Sequence, residues 1–107
     1  MALSGGSASM RRFPGLNLLA WALLNGNTLV KGVNVSGVAA VSYGARIDFT
    51  TAMPNANYML EVVNTNGTVR PNVSGQTAAN ATIQTLLVAD STATAVPLGM
   101  TYVAVYA

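Results

Sequence analysis

The carboxylates of Asp48, Glu61 and Asp90 are the groups in this chain best suited to acid–base chemistry. Two carboxylates placed together can hydrolyse a glycosidic bond, one acting as the acid and the other as base or nucleophile. Asp48 lies before a turn-forming segment and Glu61 lies after it, so the two could face each other across a hairpin. An exposed ion pair explains Asp48 more simply, because Arg46 lies two positions before it. We therefore expect solvated strand residues here rather than a catalytic pair.

The other common catalytic groups are missing from the sequence, which contains no histidine and no cysteine. Without histidine, the commonest general base and metal ligand is absent, and a nucleophilic serine would lack its usual partner. Without cysteine, neither disulfides nor thiol catalysis is possible. There is also no glycine-rich phosphate loop of the G-x-x-x-x-G-K-[ST] type, and the carboxylates are too few for a metal cluster. We expect a protein that is not an enzyme and needs no cofactor.

Amide side chains and aromatic residues indicate a different kind of site, a surface that binds carbohydrate. The candidate glycan contacts lie in two polar segments and are Asn64, Asn66, Gln76 and Asn80. The four tyrosines and the single tryptophan could stack on sugar rings. Aromatic residues that alternate along strands are more often part of a core or an interface, so glycan binding is the alternative hypothesis and not the leading one.

The segments that must position these groups show the alternation of β-strands. Between residues 45 and 49, Ala45, Ile47 and Phe49 are predicted to face inward, while Arg46 and Asp48 face solvent. Further strands are predicted over residues 58–63, 83–89 and 102–106. Both faces of the segment 83–89 are apolar, which suggests that one face lies in the core and the other against a partner.

Turn-forming residues separate these strands. Pro54 and its neighbouring asparagines predict a turn over residues 53–57, because proline fixes φ and asparagine tolerates unusual backbone angles. Asn66-Gly67 favours a type I′ hairpin turn, and residues 71–81 and 90–95 are predicted to be polar loops. The pattern indicates five to six strands in a mainly β fold, a small antiparallel β-sandwich or an open barrel. We expect a single β domain over residues 16–107, preceded by a flexible or anchoring arm over residues 1–15.

The apolar segment from Leu16 to Leu24 fits two kinds of secondary structure. Leu16, Leu19, Ala20 and Leu23 would share one face of a helix, whereas Leu18, Ala20, Ala22 and Leu24 would share one face of a strand. The segment is too short to cross a bilayer, which takes about 20 apolar residues. It would give a monomer a large apolar patch, so we predict that it forms oligomer or anchor contacts. The predicted contact residues are Leu16, Leu19, Trp21, Leu23 and Leu24.

The composition indicates a protein that covers its surface with uncharged side chains or with other subunits. Hydrophobic residues make up 51% of the 107 residues and charged residues only 7%, compared with about 25% charged in ordinary soluble domains. The net charge of +2 is spread along the chain, and Arg11-Arg12 is the one cluster of cations. Nucleic-acid binding requires a larger basic cluster, so we expect no nucleic-acid partner.

The segment Phe49-Thr50-Thr51-Ala52-Met53-Pro54-Asn55-Ala56-Asn57-Tyr58 resembles one that recurs in the C-terminal domains of bacteriophage tail-fibre and related virion proteins. In those domains a strand ending in F-T-T-A-M-P leads through a turn to N-Y and another strand. Ala20-Trp21, Asn25-Gly26, Asn34-Val35-Ser36 and the final Tyr106-Ala107 are similar to other parts of the domain. The resemblance extends well over residues 20–65 and loosely over the rest. It implies a phage structural protein that forms trimers, and it implies no catalytic residues.

We therefore expect a virion structural protein, a short fibre, knob or capsid-decoration subunit displayed on the particle surface as an oligomer. Its partners would be itself, as a homotrimer, and other proteins of the capsid or tail through the N-terminal region. The alternative is a lectin-like module of a tail-fibre tip that binds a host surface glycan during adsorption. We expect no membrane insertion, and the sequence leaves open whether the protein belongs to the tail or to the capsid.

Overall fold

The computed structural model describes residues 15–107, which fold into eight strands. The strands are β1 (Leu18–Asn25), β2 (Thr28–Val33), β3 (Val35–Val41), β4 (Gly44–Phe49), β5 (Met59–Asn64), β6 (Val69–Gln76), β7 (Asn80–Leu87) and β8 (Met100–Tyr106). The predicted mainly β sandwich is confirmed, with more strands than the five or six expected. The predicted arm, apart from Gly15, and the Arg11-Arg12 pair lie outside the described residues.

The strands form two four-stranded antiparallel sheets that pack face to face. Sheet A has the order β2-β1-β8-β5, and sheet B has the order β3-β4-β7-β6. Three hairpins, β1–β2, β3–β4 and β6–β7, join neighbouring strands within a sheet, and the other connections cross between the sheets. Consequently β1 and β8, which lie near opposite ends of the described chain, are paired at the centre of sheet A.

The apolar segment whose secondary structure the sequence left open forms a strand. β1 pairs with β2 on one side and with β8 on the other, and its own side chains are apolar on both faces from Leu18 to Leu24. Ala20, Ala22 and Leu24 point into the sandwich and are at most 2% exposed. A register shift after Leu18 turns that residue to the other face of the sheet, opposite Tyr106.

The core between the sheets contains the residues that the alternation of β4 indicated. Ala45, Ile47 and Phe49 are buried, which confirms their predicted orientation. Arg46 and Asp48 lie on the outer face and form an ion pair, with Arg46 Nε 2.9 Å from Asp48 Oδ1. Further core side chains come from β7, from β8 and from the loop between β4 and β5, namely Ile83, Val103, Val105, Met53 and Tyr58.

The loop between β4 and β5 crosses from sheet B to sheet A and is anchored by two aromatic rings. Phe49 and Tyr58 pack edge to face with ring centroids 5.7 Å apart. The Tyr58 hydroxyl donates to the carbonyl oxygens of Thr77 and Asn80 at 2.8 and 3.0 Å. Burial raises the pKa of this hydroxyl above its ordinary value. The turn predicted around Pro54 is confirmed and lies within this crossing.

Asn34 holds a second crossing, the one from β2 to β3. Its backbone has φ of 59°, in the left-handed region that asparagine tolerates better than most residues. Its side chain accepts a hydrogen bond from the Thr51 amide at 2.7 Å and donates to the carbonyl oxygens of Thr51 and Leu19 at 3.1 and 3.3 Å. One side chain thereby joins the crossing to β1 and to the loop after β4.

Two local predictions are wrong. Asn66-Gly67 does not form a type I′ hairpin, because β5 and β6 belong to different sheets and neither residue has a positive φ. The predicted loop over 71–81 is mostly the strand β6, which contains Pro71 and pairs only with β7. An edge strand accommodates proline and polar residues because one of its sides makes no ladder hydrogen bonds. The strand predicted over 83–89 also has different bounds, because β7 begins at Asn80 and ends at Leu87.

Candidate functional site

The outer face of sheet A is the most distinctive surface of the described residues. Cross-strand pairing places Trp21 opposite Val33 and Ala104, and Leu23 opposite Tyr102. It also places Val63 opposite Tyr102, and Met59 opposite Tyr106. We define the apolar face of sheet A by the following side chains: Trp21, Leu23, Val33, Met59, Val63 and Tyr102.

The centre of this face is a small hydrophobic cluster outside the main core. Leu18, Ala104 and Tyr106 are buried there, at 7%, 0% and 4% exposure, with Leu16 and Trp21 packed against them. The rings of Trp21 and Tyr102 lie tilted on each other with centroids 6.4 Å apart. Burial, followed by the charge of Glu61, raises the pKa of the Tyr102 hydroxyl above its ordinary value.

The margins of the apolar face are exposed. Val63 and Met59 on β5 are 57% and 47% exposed, and Val33 on β2 is 40% exposed. Within residues 15–107, the charged side chains on this side of the sheet are Lys31 on β2 and Glu61 on β5. These two strands are the edges of sheet A, so opposite charges lie at opposite edges.

The outer face of sheet B has the opposite character. Its side chains are mostly polar or charged and include Arg46, Asp48, Arg70, Asn72, Thr82 and Gln84. One of these side chains, Arg70, forms a hydrogen bond within the chain, with Nη2 3.1 Å from Ser91 Oγ. The outer face of sheet B is therefore mainly polar, whereas the outer face of sheet A is apolar.

The five residues predicted to form oligomer or anchor contacts are divided between the two sides of β1. Trp21 and Leu23 lie on the apolar face, and Leu16 packs beside it. Leu19 packs against the main core. The prediction is wrong for Leu24, which is 2% exposed inside the sandwich. The alternating geometry of a strand separates residues that the sequence suggested as one patch.

The four residues predicted to contact a glycan are not brought together. Asn64 and Asn66 lie at one end of β6, and Gln76 and Asn80 lie at the other end, about 25 Å away for an eight-residue strand. Their side-chain amides also form hydrogen bonds that stabilise the fold. Asn66 Nδ2 donates to the carbonyl oxygen of Pro97 at 3.0 Å, and Gln76 Nε2 donates to that of Ala56 at 2.7 Å. These four side chains therefore do not converge on one compact site.

The carboxylates do not converge either. Asp48 lies on the outer side of sheet B and Glu61 on the outer side of sheet A, so the two cannot act as a pair across a hairpin. Asp90 lies in the exposed loop after β7, where hydrogen bonds from Thr92 lower the pKa of its carboxyl group. Among residues 15–107, no group of three acidic side chains is placed to hold a metal ion.

A cleft lies at each end of the sandwich formed by the described residues. One, of about 160 Å³, lies at the end formed by Gly26, Tyr43 and Pro97. The other, of about 320 Å³, lies at the opposite end between Leu16, Pro54 and Met59. The ionisable side chains that line these clefts are those of tyrosines, Tyr43 in the first and Tyr58 and Tyr106 in the second.

The comparisons with known proteins leave the apolar face as the main guide to function. No protein-family model matches the chain, and no curated protein or solved structure shows significant similarity to it. Over residues 15–107, no helix is long and apolar enough to cross a membrane.

Proposed function

We propose that this protein is a structural component of a bacteriophage virion, displayed on the particle as an oligomer. The observation that carries the proposal is the contrast between the two outer faces of the sandwich. Sheet B is polar, while sheet A exposes valine, methionine and tyrosine side chains around a tryptophan. An exposed apolar patch of this kind is often an interaction surface.

The size of the exposed apolar surface supports this proposal. The exposed fractions of Val33, Met59, Val63 and Tyr102 correspond to roughly 330 Å² of side-chain surface, worth roughly 8 kcal/mol per subunit if it were covered. That contribution is large compared with an exposed ion pair, which is worth about 0.2–1 kcal/mol. Association also loses translational and rotational freedom, which costs about 4–15 kcal/mol. The apolar face therefore favours assembly, and its burial has to offset that cost.

The sequence resemblance supports the phage assignment through residues that build the fold. Phe49, Met53 and Tyr58, within the segment that resembles phage tail-fibre domains, are buried where the chain crosses between the sheets. The resemblance therefore concerns the architecture of a displayed domain. With no converging carboxylates and no shared site for the candidate glycan residues among residues 15–107, neither catalysis nor glycan binding is favoured by a specific observation.

Analysis of purified virions tests the proposal. Particles would be purified through a density gradient from a lysate of cells that carry this gene, and their proteins identified by mass spectrometry. We expect the chain to band with the particles in a fixed ratio to the major capsid protein, and antibodies to label intact virions in electron micrographs. A chain that stays in the soluble fraction and is absent from washed particles would contradict a virion role.

A further inference from the structure

We propose that the cleft of about 160 Å³ at one end of the sandwich binds a single uncharged aromatic ring that carries a hydroxyl group, which is the chemistry of a phenol. This inference goes beyond the proposed function, because the cleft lies at the end of the sandwich and not on the apolar face of sheet A. Three observations carry it: the uncharged lining of the cleft, two buried threonines, and the backbone conformation of Tyr43.

The lining of the cleft is largely apolar and carries no charge. Its buried apolar side chains come from both sheets and from the loop between β7 and β8, and they are Leu24, Ala45, Ile83 and Leu98. Among residues 15–107, no carboxylate, ammonium or guanidinium group lines it. A charged ligand would lose its water there without gaining a partner, so the ligand is neutral. A cavity of about 150 Å³ takes up one benzene molecule, so this cleft has room for one ring of that size.

Two buried threonines add hydrogen-bonding groups to this apolar lining. Thr85 and Thr101, at 4% and 1% exposure, are the buried non-aromatic polar residues of the described part of the chain, and both line the cleft. Thr85 alternates with Ile83 along β7, and Thr101 with Val103 along β8, so both point between the sheets. The Thr101 hydroxyl donates to the carbonyl oxygen of Gly99 at 3.2 Å, which leaves its oxygen as an acceptor. A phenolic hydroxyl can donate to this oxygen and accept from Thr85.

Tyr43 holds an unusual backbone conformation beside the cleft. It is the second residue of the two-residue turn between β3 and β4 and has φ of 60°, where glycine or asparagine is usual. Its carbonyl oxygen accepts a hydrogen bond from the Thr85 amide at 2.6 Å, so the turn is tied to the strand that carries one of the two buried threonines. Residues held in sparsely populated backbone regions cluster at functional sites. The Tyr43 side chain lines the cleft and is 51% exposed, so its ring is available to pack on a bound ring.

Titration of the full chain with p-cresol tests the site, with binding followed by the amide chemical shifts in NMR spectra. p-Xylene is the matched probe, because it has the same shape with a methyl group in place of the hydroxyl. We expect p-cresol to shift the amide signals of residues that line the cleft. It should bind about 5- to 10-fold more tightly than p-xylene, as expected for one hydrogen bond. Equal binding of the two probes, or shifts confined to other parts of the chain, would overturn the proposal.

A pair of threonine variants tests the hydrogen bond. Thr85→Val keeps the shape of the side chain and removes its hydroxyl, and Thr82→Val makes the same change on the outer face of the same strand. We expect the dissociation constant for p-cresol to rise about 5- to 10-fold in Thr85→Val and to stay unchanged in Thr82→Val. Equal effects of the two substitutions would overturn the role of Thr85.

Tyr43→Gly tests the ring beside the cleft and provides a readout even if Thr85→Val fails to fold. Glycine adopts a φ of 60° without strain, so the turn should keep its shape, and the melting temperature checks that the variant is folded. We expect p-cresol to bind about 2- to 10-fold more weakly to this variant, because the packing of two aromatic rings is lost. Binding as tight as that of the wild-type chain would contradict the role of Tyr43.

A phenol can reach this cleft as a free molecule or as the tyrosine side chain of a partner protein. N-acetyltyrosinamide distinguishes the two sources, because it carries the same ring on a short piece of backbone. Displacement of p-cresol by N-acetyltyrosinamide would indicate a tyrosine side chain, and binding of p-cresol alone would indicate a free phenolic compound. If neither probe binds, the proposal is wrong, and the virion role stands or falls separately on the analysis of purified particles.

Discussion

Replacing Val63 by Asp tests how much of the assembly depends on the apolar face of sheet A. Val63 lies on β5 with 57% of its surface exposed, so in a single subunit the new carboxylate remains in solvent. In the assembly, the lost burial of roughly 90 Å² of valine surface costs about 2 kcal/mol. Burying an unpaired carboxylate costs several kcal/mol more, so we expect association to weaken by at least about 100-fold.

Val88→Asp is the matched control for this change. Val88 is also a valine, 54% exposed, but it lies in the turn after β7 and not on the apolar face. Both variants should keep the circular dichroism of the wild-type chain, because neither side chain belongs to the core. Sedimentation velocity over a range of protein concentrations would then measure the association of each.

The expected result is that Val63→Asp sediments as a monomer at concentrations where the wild-type chain and Val88→Asp remain assembled. If the two substitutions weakened association equally, the cause would be the change in net charge and not the burial of Val63 in the apolar face. A Val63→Asp chain that assembles like the wild type would refute the argument, since its carboxylate could not then lie in an apolar contact.

Three further substitutions probe the fold itself. Ile83→Ala removes a side chain that is 1% exposed, and we expect it to lower the free energy of unfolding by about 2–5 kcal/mol in urea titrations. Asn34→Ala removes three hydrogen bonds and strains a residue with φ of 59°, so it should cost about 2 kcal/mol or more, with Asn34→Gly losing less because glycine tolerates that φ. The folded-state pKa of Tyr102 lies above its ordinary value of 10.0, so above about pH 10 the unfolded chain ionises first and stability falls as pH rises. Tyr102→Phe should reduce that loss, measured as the melting temperature across the alkaline range.

The sequence predicted those elements whose two faces meet different environments. The alternation of Ala45, Ile47 and Phe49 with Arg46 and Asp48 indicated both the strand and its orientation, because that strand has one face in the core and one in solvent. The same alternation is hidden in β1, which is apolar on both faces. Only its pairing with β2 and β8 decides that it is a strand, and that pairing depends on residues far apart in the sequence.

The misjudged elements are those in which a local preference was overruled by the rest of the fold. Asn66 in front of Gly67 favours a hairpin, but the strands on either side join different sheets, and its amide bonds to Pro97 instead. β6 has no apolar pattern because it is an edge strand with Pro71 in it. The sequence indicated Trp21 and Leu23 as contact residues of the apolar face. It could not place Tyr102 beside them, since Trp21 and Tyr102 become neighbours only through the pairing of β1 with β8.

The central position of β8 has a consequence for how the protein is made. β8 separates β1 from β5 in sheet A, so during synthesis these earlier strands have no common partner until β8 emerges from the ribosome. Sheet B needs no strand beyond β7 and can close sooner. The nascent chain therefore holds Ala22 and Leu24 on an incompletely paired strand while translation continues, and pairings between distant segments form slowly. Chaperone binding before β8 emerges would protect those strand edges from joining other nascent chains.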